Sequence, residues 1–414
     1  MSTYLERYAY PVTLFSDSII GQIKISIIIP CFNEPDILTT LNSLNNCNPV
    51  DGVEVIIIVN EPQTSKKEIS NQNKLTLVEI EDWQRSHQLN FKLLTYHLIA
   101  PDKDAGVGLA RKVGMDEAVR RFEKINHHEG VICCFDADST CAPNYLQSIY
   151  QNFYKKQPKP HGAAVYFEHT LPEQHSQIEG IIQYELHLRY YVHALRLIGY
   201  PYAHQTVGSS MIVRSDKYQK IGGMNKRKAG EDFYFLHRLM PTGNFIDIND
   251  TKIFPSARIS DRVPFGTGKA MDKWQKENPK DYYTYNLQSF LDLEVLFKHR
   301  ERFFGINESD LSTLMSEFSG SVRDFLLADG FIQIVDRLNT QSSNLATFVS
   351  NWYQYFDGFK VLKYLHYSRD NYQDNKPVTE EATKLAQLRW PKELPKSKQA
   401  EVLLDYYRQK DRLF

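Results

Sequence analysis

No apolar run in this chain is long enough to cross a bilayer; the longest, such as Val53 to Val59, are strand-length. The opening residues, Met1 to Gly21, mix Glu6, Arg7 and Asp17 with tyrosines and lack the charged-then-apolar pattern of a secretory signal. An excess of one charge is also missing. The 49 Lys and Arg against 50 Asp and Glu leave a net charge of −1, so no global field draws the protein to nucleic acid or to an acidic membrane. Cysteine is scarce: Cys31, Cys47, Cys133, Cys134 and Cys141 show no Cys-x-x-Cys spacing. Reduced structural thiols in a cytoplasmic protein are expected, ahead of zinc or disulfides. Cys133 and Cys134, neighbours on one strand, should point to opposite faces. Internal repeats and low-complexity tracts are absent, and the proline-rich patch 157–160 is too short for a linker.

What is present is the material of a folded core. The 414 residues are 42% hydrophobic, enough for one large domain and a smaller one. The first half alternates strand and helix. Lys24 to Pro30 reads as a strand, Pro35 to Leu44 as a helix, and Val53 to Val59 as a strand. Lys66 to Gln88 reads as a polar helix, Phe91 to His97 as a strand, Gly108 to Ile125 as a helix, and Gly130 to Phe135 as a fourth strand. This order predicts an α/β fold with a mostly parallel sheet covered by helices. Farther on, Ala163 to Phe167 and Thr206 to Val213 read as strands, and Gln177 to Ile198 and Glu231 to Leu239 as helices. From about Met271 the pattern is mostly helical, which puts a boundary near residue 270.

In such sheets ligands gather beyond the carboxyl ends of the strands. Three polar segments fall there: Cys31-Phe32-Asn33-Glu34, Asn60-Glu61 and Asp136-Ala137-Asp138. Two carboxylates one residue apart at the end of a buried strand are costly unless they hold something. A divalent cation bound to phosphate suits their hard oxygens. On residue type alone, a turn cap at Asp136 beside a solvated Asp138 is the alternative.

Five segments then fall into a familiar order. Lys24-Ile-Ser-Ile-Ile-Ile-Pro30-Cys-Phe-Asn33-Glu34 is followed by Gly106-Val-Gly108-Leu-Ala-Arg111-Lys-Val-Gly114 and by Asp136-Ala-Asp138. Val207-Gly-Ser-Ser210 leads to Ile221-Gly-Gly223, and Gly230-Glu231-Asp232-Phe233 precedes His237-Arg238-Leu239. Together, across roughly residues 24 to 265, they resemble the GT-A glycosyltransferases of family 2. The resemblance implies a Rossmann-like sheet, a nucleotide-sugar donor, and Mg²⁺ or Mn²⁺ held by Asp138 with Asp136 reaching the ribose or the metal. It implies that Pro30, Phe32, Asn33 and Glu34 face the nucleotide, although Asn33 and Glu34 equally suit a helix cap. Many relatives carry acid after the second strand, whereas this one ends Val59-Asn60-Glu61. Asn60 is therefore the candidate for a uracil edge, and base identity stays open.

By the same resemblance Arg111 meets the donor, while Lys112 belongs to a solvated basic turn. Asp232 is the base that takes the acceptor proton, with Glu231 binding acceptor or supporting it; an acidic first turn of a helix is the plain alternative. The loop from Ser256 to Lys269 could fold over a diphosphate through Arg258, Arg262 or Lys269. Some relatives place a further metal ligand, often His, in this neighbourhood. No His lies between 238 and 298, which leaves Asp261. The helix carrying His187, Arg189, Tyr190, Tyr191, His193 and Arg196 reads as a core helix with a solvated basic edge, ahead of an acceptor wall or a membrane contact. His127-His128 reads as a surface turn.

The expectation is a GT-A catalytic domain over 1–270 and a mostly helical C-terminal region over 271–414 that shapes the acceptor site or pairs subunits. The activity expected is inverting transfer of a sugar from a nucleoside diphosphate sugar, UDP first and GDP second, to a hydroxyl of a carbohydrate, lipid-linked or small-molecule acceptor. Nucleic acid is not an expected partner; peripheral membrane contact and a homodimer stay open. Two rivals are a sugar nucleotidyltransferase and a nucleotide-sugar-binding protein without catalysis. The first would show a Gly-rich loop with Arg and Lys directly after the first strand, which Pro30-Cys-Phe-Asn-Glu34 does not. Retention of Asp136, Asp138 and Asp232 together speaks against the second.

Overall fold

The chain runs α1 (Thr3–Arg7), β1 (Ile25–Cys31), α2 (Ile37–Asn45), β2 (Val53–Pro62), α3 (Lys67–Ser86), β3 (Lys92–Ala100), α4 (Val107–Lys124) and β4 (Val131–Cys134). Then come β5 (Thr140–Cys141), α5 (Tyr145–Tyr150), β6 (Gly162–Phe167), α6 (His175–Leu197), β7 (Met211–Arg214), α7 (Ser215–Lys220), α8 (Glu231–Leu239), β8 (Phe245–Phe254) and α9 (Thr267–Glu277). This computed structural model describes residues 2–19, 21–172, 174–260 and 266–413. Its compact units are two: residues 1–173, 206–275 and 411–414 form one, and residues 174–205 and 276–410 the other.

In the first unit, β1 is buried along its whole length and β2 over all but its last residue. Both faces are covered, as a run of Ile and Val without polar alternation requires. Ile25, Ile27 and Ile29 share a core with Leu41 and Leu44 of α2 and Ile80 and Trp83 of α3. On the other face, Ile28 and Ile58 meet Gly114 of α4. Cys133 joins the first layer, whereas Cys134 Sγ lies 3.8 Å from Met115 Sδ of α4. The two neighbours do face opposite ways, and the five cysteines are buried thiols outside any disulfide.

Among the described residues the sheet order is β3-β2-β1-β4-β7-β6-β8-β5. β1, β2, β3 and β4 are mutually parallel, as is β6 with β8. The departures from the parallel expectation are the two-residue β5, antiparallel to β8, and β7, which runs antiparallel between β4 and β6. β7 is also shorter than the expected strand from Thr206, because residues 208–210 form a turn closed by Ser210 N–H on the Val207 carbonyl at 3.0 Å. α2 starts at Ile37 rather than Pro35, since Asp36 supplies the cap.

The N-terminal segment is strapped along α4. Tyr4 Oη donates to Asp116 at 2.6 Å, Tyr10 N–H to Asp116 at 2.7 Å, and Leu14 N–H to Glu117 at 3.1 Å. Arg121 pairs with Asp17 and with Glu54 of β2, each at 2.9 Å. The strap buries what the sequence presents as a charged helix. Lys112 is a correction of this kind: its Nζ sits 3.0 Å from Asp116 and 3.1 Å from Tyr4 Oη, not in solvent.

The second unit is helical: α6, then α10 (Leu287–His299), α11 (Glu308–Met315), α12 (Gly320–Ala328), α13 (Phe331–Thr340), α14 (Leu345–Tyr355), α15 (Gly358–Asn371), α16 (Val378–Arg389) and α17 (Ala400–Arg412), whose last two residues lie outside it. Residues 174–205 therefore depart from the expected 1–270 domain. α6 is apolar on more than one face, and Leu186, Tyr190 and Ala194 share a core with Phe290 of α10 and Leu385 of α16. The basic edge expected on α6 is not solvated. Arg189 is buried against Glu185, which also takes Arg408 at 2.8 Å. Tyr190 Oη donates to the Tyr285 carbonyl at 2.8 Å. His187 meets Thr284 at 2.7 Å, and burial pushes its pKa down to about 4. Among the described residues no helix is long and apolar enough to cross a membrane.

Candidate active site

The ends of β1, β2 and β4 lie side by side, and each carries polar residues that the surrounding helices hold in place. After β4 the chain turns at Asp136-Ala137-Asp138. The Thr40 hydroxyl of α2 reaches the carbonyls of Ala137 (2.8 Å) and Ser139 (2.9 Å), pinning this turn to the sheet. The two aspartate side chains remain 35% and 32% exposed, so they face an opening rather than the core.

Beside them, Glu34 is buried and held by Arg258. One guanidinium nitrogen of Arg258 donates to Glu34 Oε1 at 2.9 Å, and the other bonds Oε2 and lies 3.0 Å from Asp138. Asn33 takes a left-handed conformation (φ +49°) that asparagine tolerates. Its N–H donates to Asn73 Oδ1 at 2.8 Å, and Asn73 donates in turn to Glu61 Oε2 at 3.0 Å. Glu61 also meets His97 at 3.2 Å. Neither Asn33 nor Glu34 is the helix cap, because Asp36 fills that place. Pro30 is buried within β1 and Phe32 is half-buried just past it. Asn60 lies within β2 beside Leu98 of β3, and none of the described hydrogen bonds ties up its side-chain amide.

The third part is built on α8. Gly230 precedes it with φ +68°, a conformation that glycine adopts without strain, and sets Glu231 and Asp232 in the first turn. The helix dipole favours carboxylates there. Glu231 is buried, and Arg111 bonds it through Nη1 while bonding Asp136 through Nη2 at 2.5 Å. Burial pushes the Glu231 pKa up, opposed by the Arg111 charge and reinforced by Asp232. Burial also raises the pKa of Asp232, again against Arg111. The Asp232 side chain is half-buried and accepts from Phe233 N–H at 2.7 Å.

These contacts bear on one expectation, and another lies outside the described residues. Arg111 was expected to meet the donor; its side chain is 3% exposed, with both terminal nitrogens on carboxylates. Arg262 and Asp261 lie outside the described residues. Lys269 is half-buried and pairs with Asp272 at 2.9 Å. Thr40, Glu61 and Asn73 were not singled out as supports. Their signal was faint: Thr40 interrupts the stripe Ile37-Leu41-Leu44, and Asn73 and Thr76 continue the buried face of Ile80 and Trp83.

Asp136 and Asp138 offer the hard oxygen donors that suit Mg²⁺ or Mn²⁺. Among the described residues no group of three or more His, Cys, Asp or Glu side chains is placed to hold a metal by itself. The donor set therefore fits a cation that takes its remaining ligands from phosphate and water, as Mg²⁺ commonly does.

Residues 26–221 match the family model of glycosyl transferase family 2. That match spans just under half of the chain, and the segment it covers is similar to a family 2 glycosyltransferase domain. S. aureus TarS 1–349 in complex with UDP-GlcNAc is similar at 16% identity over 94% of this chain and 92% of that one, with a TM-score of 0.41. The mannosyltransferase PcManGT from Pyrobaculum calidifontis, in complex with GDP-Man and Mn²⁺, is similar at 12% identity over 90% and 89%, with a TM-score of 0.37. Glucosyl-3-phosphoglycerate synthase from Mycobacterium tuberculosis, with Mn²⁺, UDP and phosphoglyceric acid, is similar at 13% identity over 54% and 68%, with a TM-score of 0.33. No curated protein matches the chain.

Proposed function

We propose that this chain transfers a sugar from a nucleoside diphosphate sugar, UDP-linked in the first instance, to an acceptor hydroxyl with inversion at the anomeric carbon. The observation that carries the reading is the meeting of two acidic motifs: Asp136-Asp138 at the end of β4 and Glu231-Asp232 at the start of α8, joined through Arg111. One motif suits the donor end of such a reaction and the other suits the acceptor end.

Asp138, with Asp136, would hold Mg²⁺ or Mn²⁺, which when bound supplies positive charge to the departing diphosphate. Glu34, Asn33 and Asn60 line the side on which the nucleoside would lie. Asp232 would accept the proton of the acceptor hydroxyl as its oxygen attacks the anomeric carbon. The new carbon–oxygen bond forms as the bond to the diphosphate oxygen breaks, and the diphosphate leaves with the electron pair. A raised Asp232 pKa suits a base, because a more basic carboxylate accepts a proton more readily near neutral pH.

The cytoplasm is the proposed compartment, supported by five buried thiols outside any disulfide in a chain of this size. The test is a thermal-shift panel of nucleotide sugars with and without Mn²⁺, followed by calorimetry with UDP and Mn²⁺ and an assay of donor hydrolysis. Stabilisation by one UDP-sugar that requires Mn²⁺, together with turnover, is expected. Binding without hydrolysis or transfer would favour a nucleotide-sugar-binding protein instead.

A further inference from the structure

Arg111 joins segments that lie far apart in the chain. Its guanidinium bonds Asp136, 25 residues on, and Glu231, 120 residues on. A third segment is built around it. A β-carbon at Gly208 would lie 2.5 Å from Nη1, 2.6 Å from Nη2 and 2.9 Å from Cζ. The turn 208–210 therefore passes flat against the guanidinium, and only a hydrogen at this position leaves room for it. Four of the five sequence motifs meet at this one group, which is 3% exposed.

We infer that Arg111 is a positioning residue: it fixes Asp136 on the donor side against Glu231, and through the first turn of α8 sets Asp232 on the acceptor side, without itself touching the donor. This rests on the function proposed above. A lysine keeps the positive charge but has a single nitrogen, which cannot hold two carboxylates in the same planar fork. Alanine at Gly208 keeps the arginine and displaces its head. Both changes should loosen the same relationship.

The experiment compares wild type, Arg111→Lys, Gly208→Ala and the double variant. UDP with Mn²⁺ is titrated by calorimetry, turnover is read as UDP released from the UDP-sugar that stabilises the wild type, and melting is followed in parallel. Misplacement on the scale of an ångström costs about 100-fold in rate. The expected result is therefore kcat lower by about that factor in each single variant, with UDP affinity changed less than about threefold. The double variant should be no worse than the poorer single, since both act on one contact. A tenfold or greater loss of UDP affinity with kcat retained would overturn the inference and return Arg111 to the donor. Unchanged kcat with lowered melting would overturn it too, leaving a structural pin. If the wild type binds UDP and Mn²⁺ but releases nothing from any UDP-sugar, the proposed function fails by itself. The UDP affinity of Arg111→Lys then still tells a donor contact from a buried brace.

Discussion

Arg258 and Glu34 lie 224 residues apart in the sequence and are joined by a two-pronged ion pair that buries the Glu34 carboxylate. The contact ties the start of the loop after β8 to the end of β1. Removing one member leaves a buried charge without its counter-charge. Arg258→Ala should lower stability by about 3 kcal/mol, read from chemical denaturation. Adding Glu34→Gln should restore part of the loss, because the uncompensated charge is gone. A fully additive double variant would show that the pair is not coupled.

Asp138 is a third exposed and sits at the end of a turn. Asp138→Ala should change stability without ligand by no more than about 0.5 kcal/mol, as for surface substitutions generally. Stabilisation by UDP with Mn²⁺ should disappear. Persistence of the Mn²⁺-dependent shift in this variant would remove Asp138 from the cation site.

Asp232→Asn keeps the shape of the side chain and removes the base. UDP affinity should be unchanged and turnover should fall by about 1,000-fold, within the range of general-base catalysis. The carboxylate works only when deprotonated. With its pKa raised by burial, wild-type kcat should fall on acidification at a pH above the ordinary aspartate range. A pH profile of kcat that stays flat through that region would argue against Asp232 as the base.

The N-terminal strap should make folding stability fall in acid. Arg121 and Lys92 hold the Asp17 pKa down at about 2, from an ordinary value of 3.8. A depressed carboxylate contributes stability that is fully present above its unfolded value and is lost as pH falls through its folded value. The melting temperature should drop between about pH 4 and pH 2, and less steeply in Asp17→Asn. Equal slopes in the two proteins would show that the strap carries none of the acid sensitivity.

Much of the site was legible because its signals are local. Acid at the end of an apolar run marked Asp136 and Asp138, and a glycine followed by two acids marked the start of α8 at Glu231. The course of β7 was not legible, since a four-residue apolar strand carries no sign of its direction. Nor was the membership of α6, whose partners Phe290 and Leu385 lie far along the chain. Lys112 misled for a physical reason. A basic residue near the start of a helix reads as solvated, and only Tyr4 of the N-terminal strap, arriving over the Lys112–Asp116 pair from far along the chain, makes its burial possible.

The sequence by itself determined where strands and helices alternate and which carboxylates stand at strand and helix ends. Those follow from periodicity and from the preferences of single residues. Only the tertiary structure decided which charges meet: Arg111 with Asp136 and Glu231, Arg258 with Glu34 and Asp138, and Arg121 with Glu54 and Asp17. A buried charge takes its partner from whatever the fold brings within hydrogen-bond reach, and chain distance carries no trace of that choice.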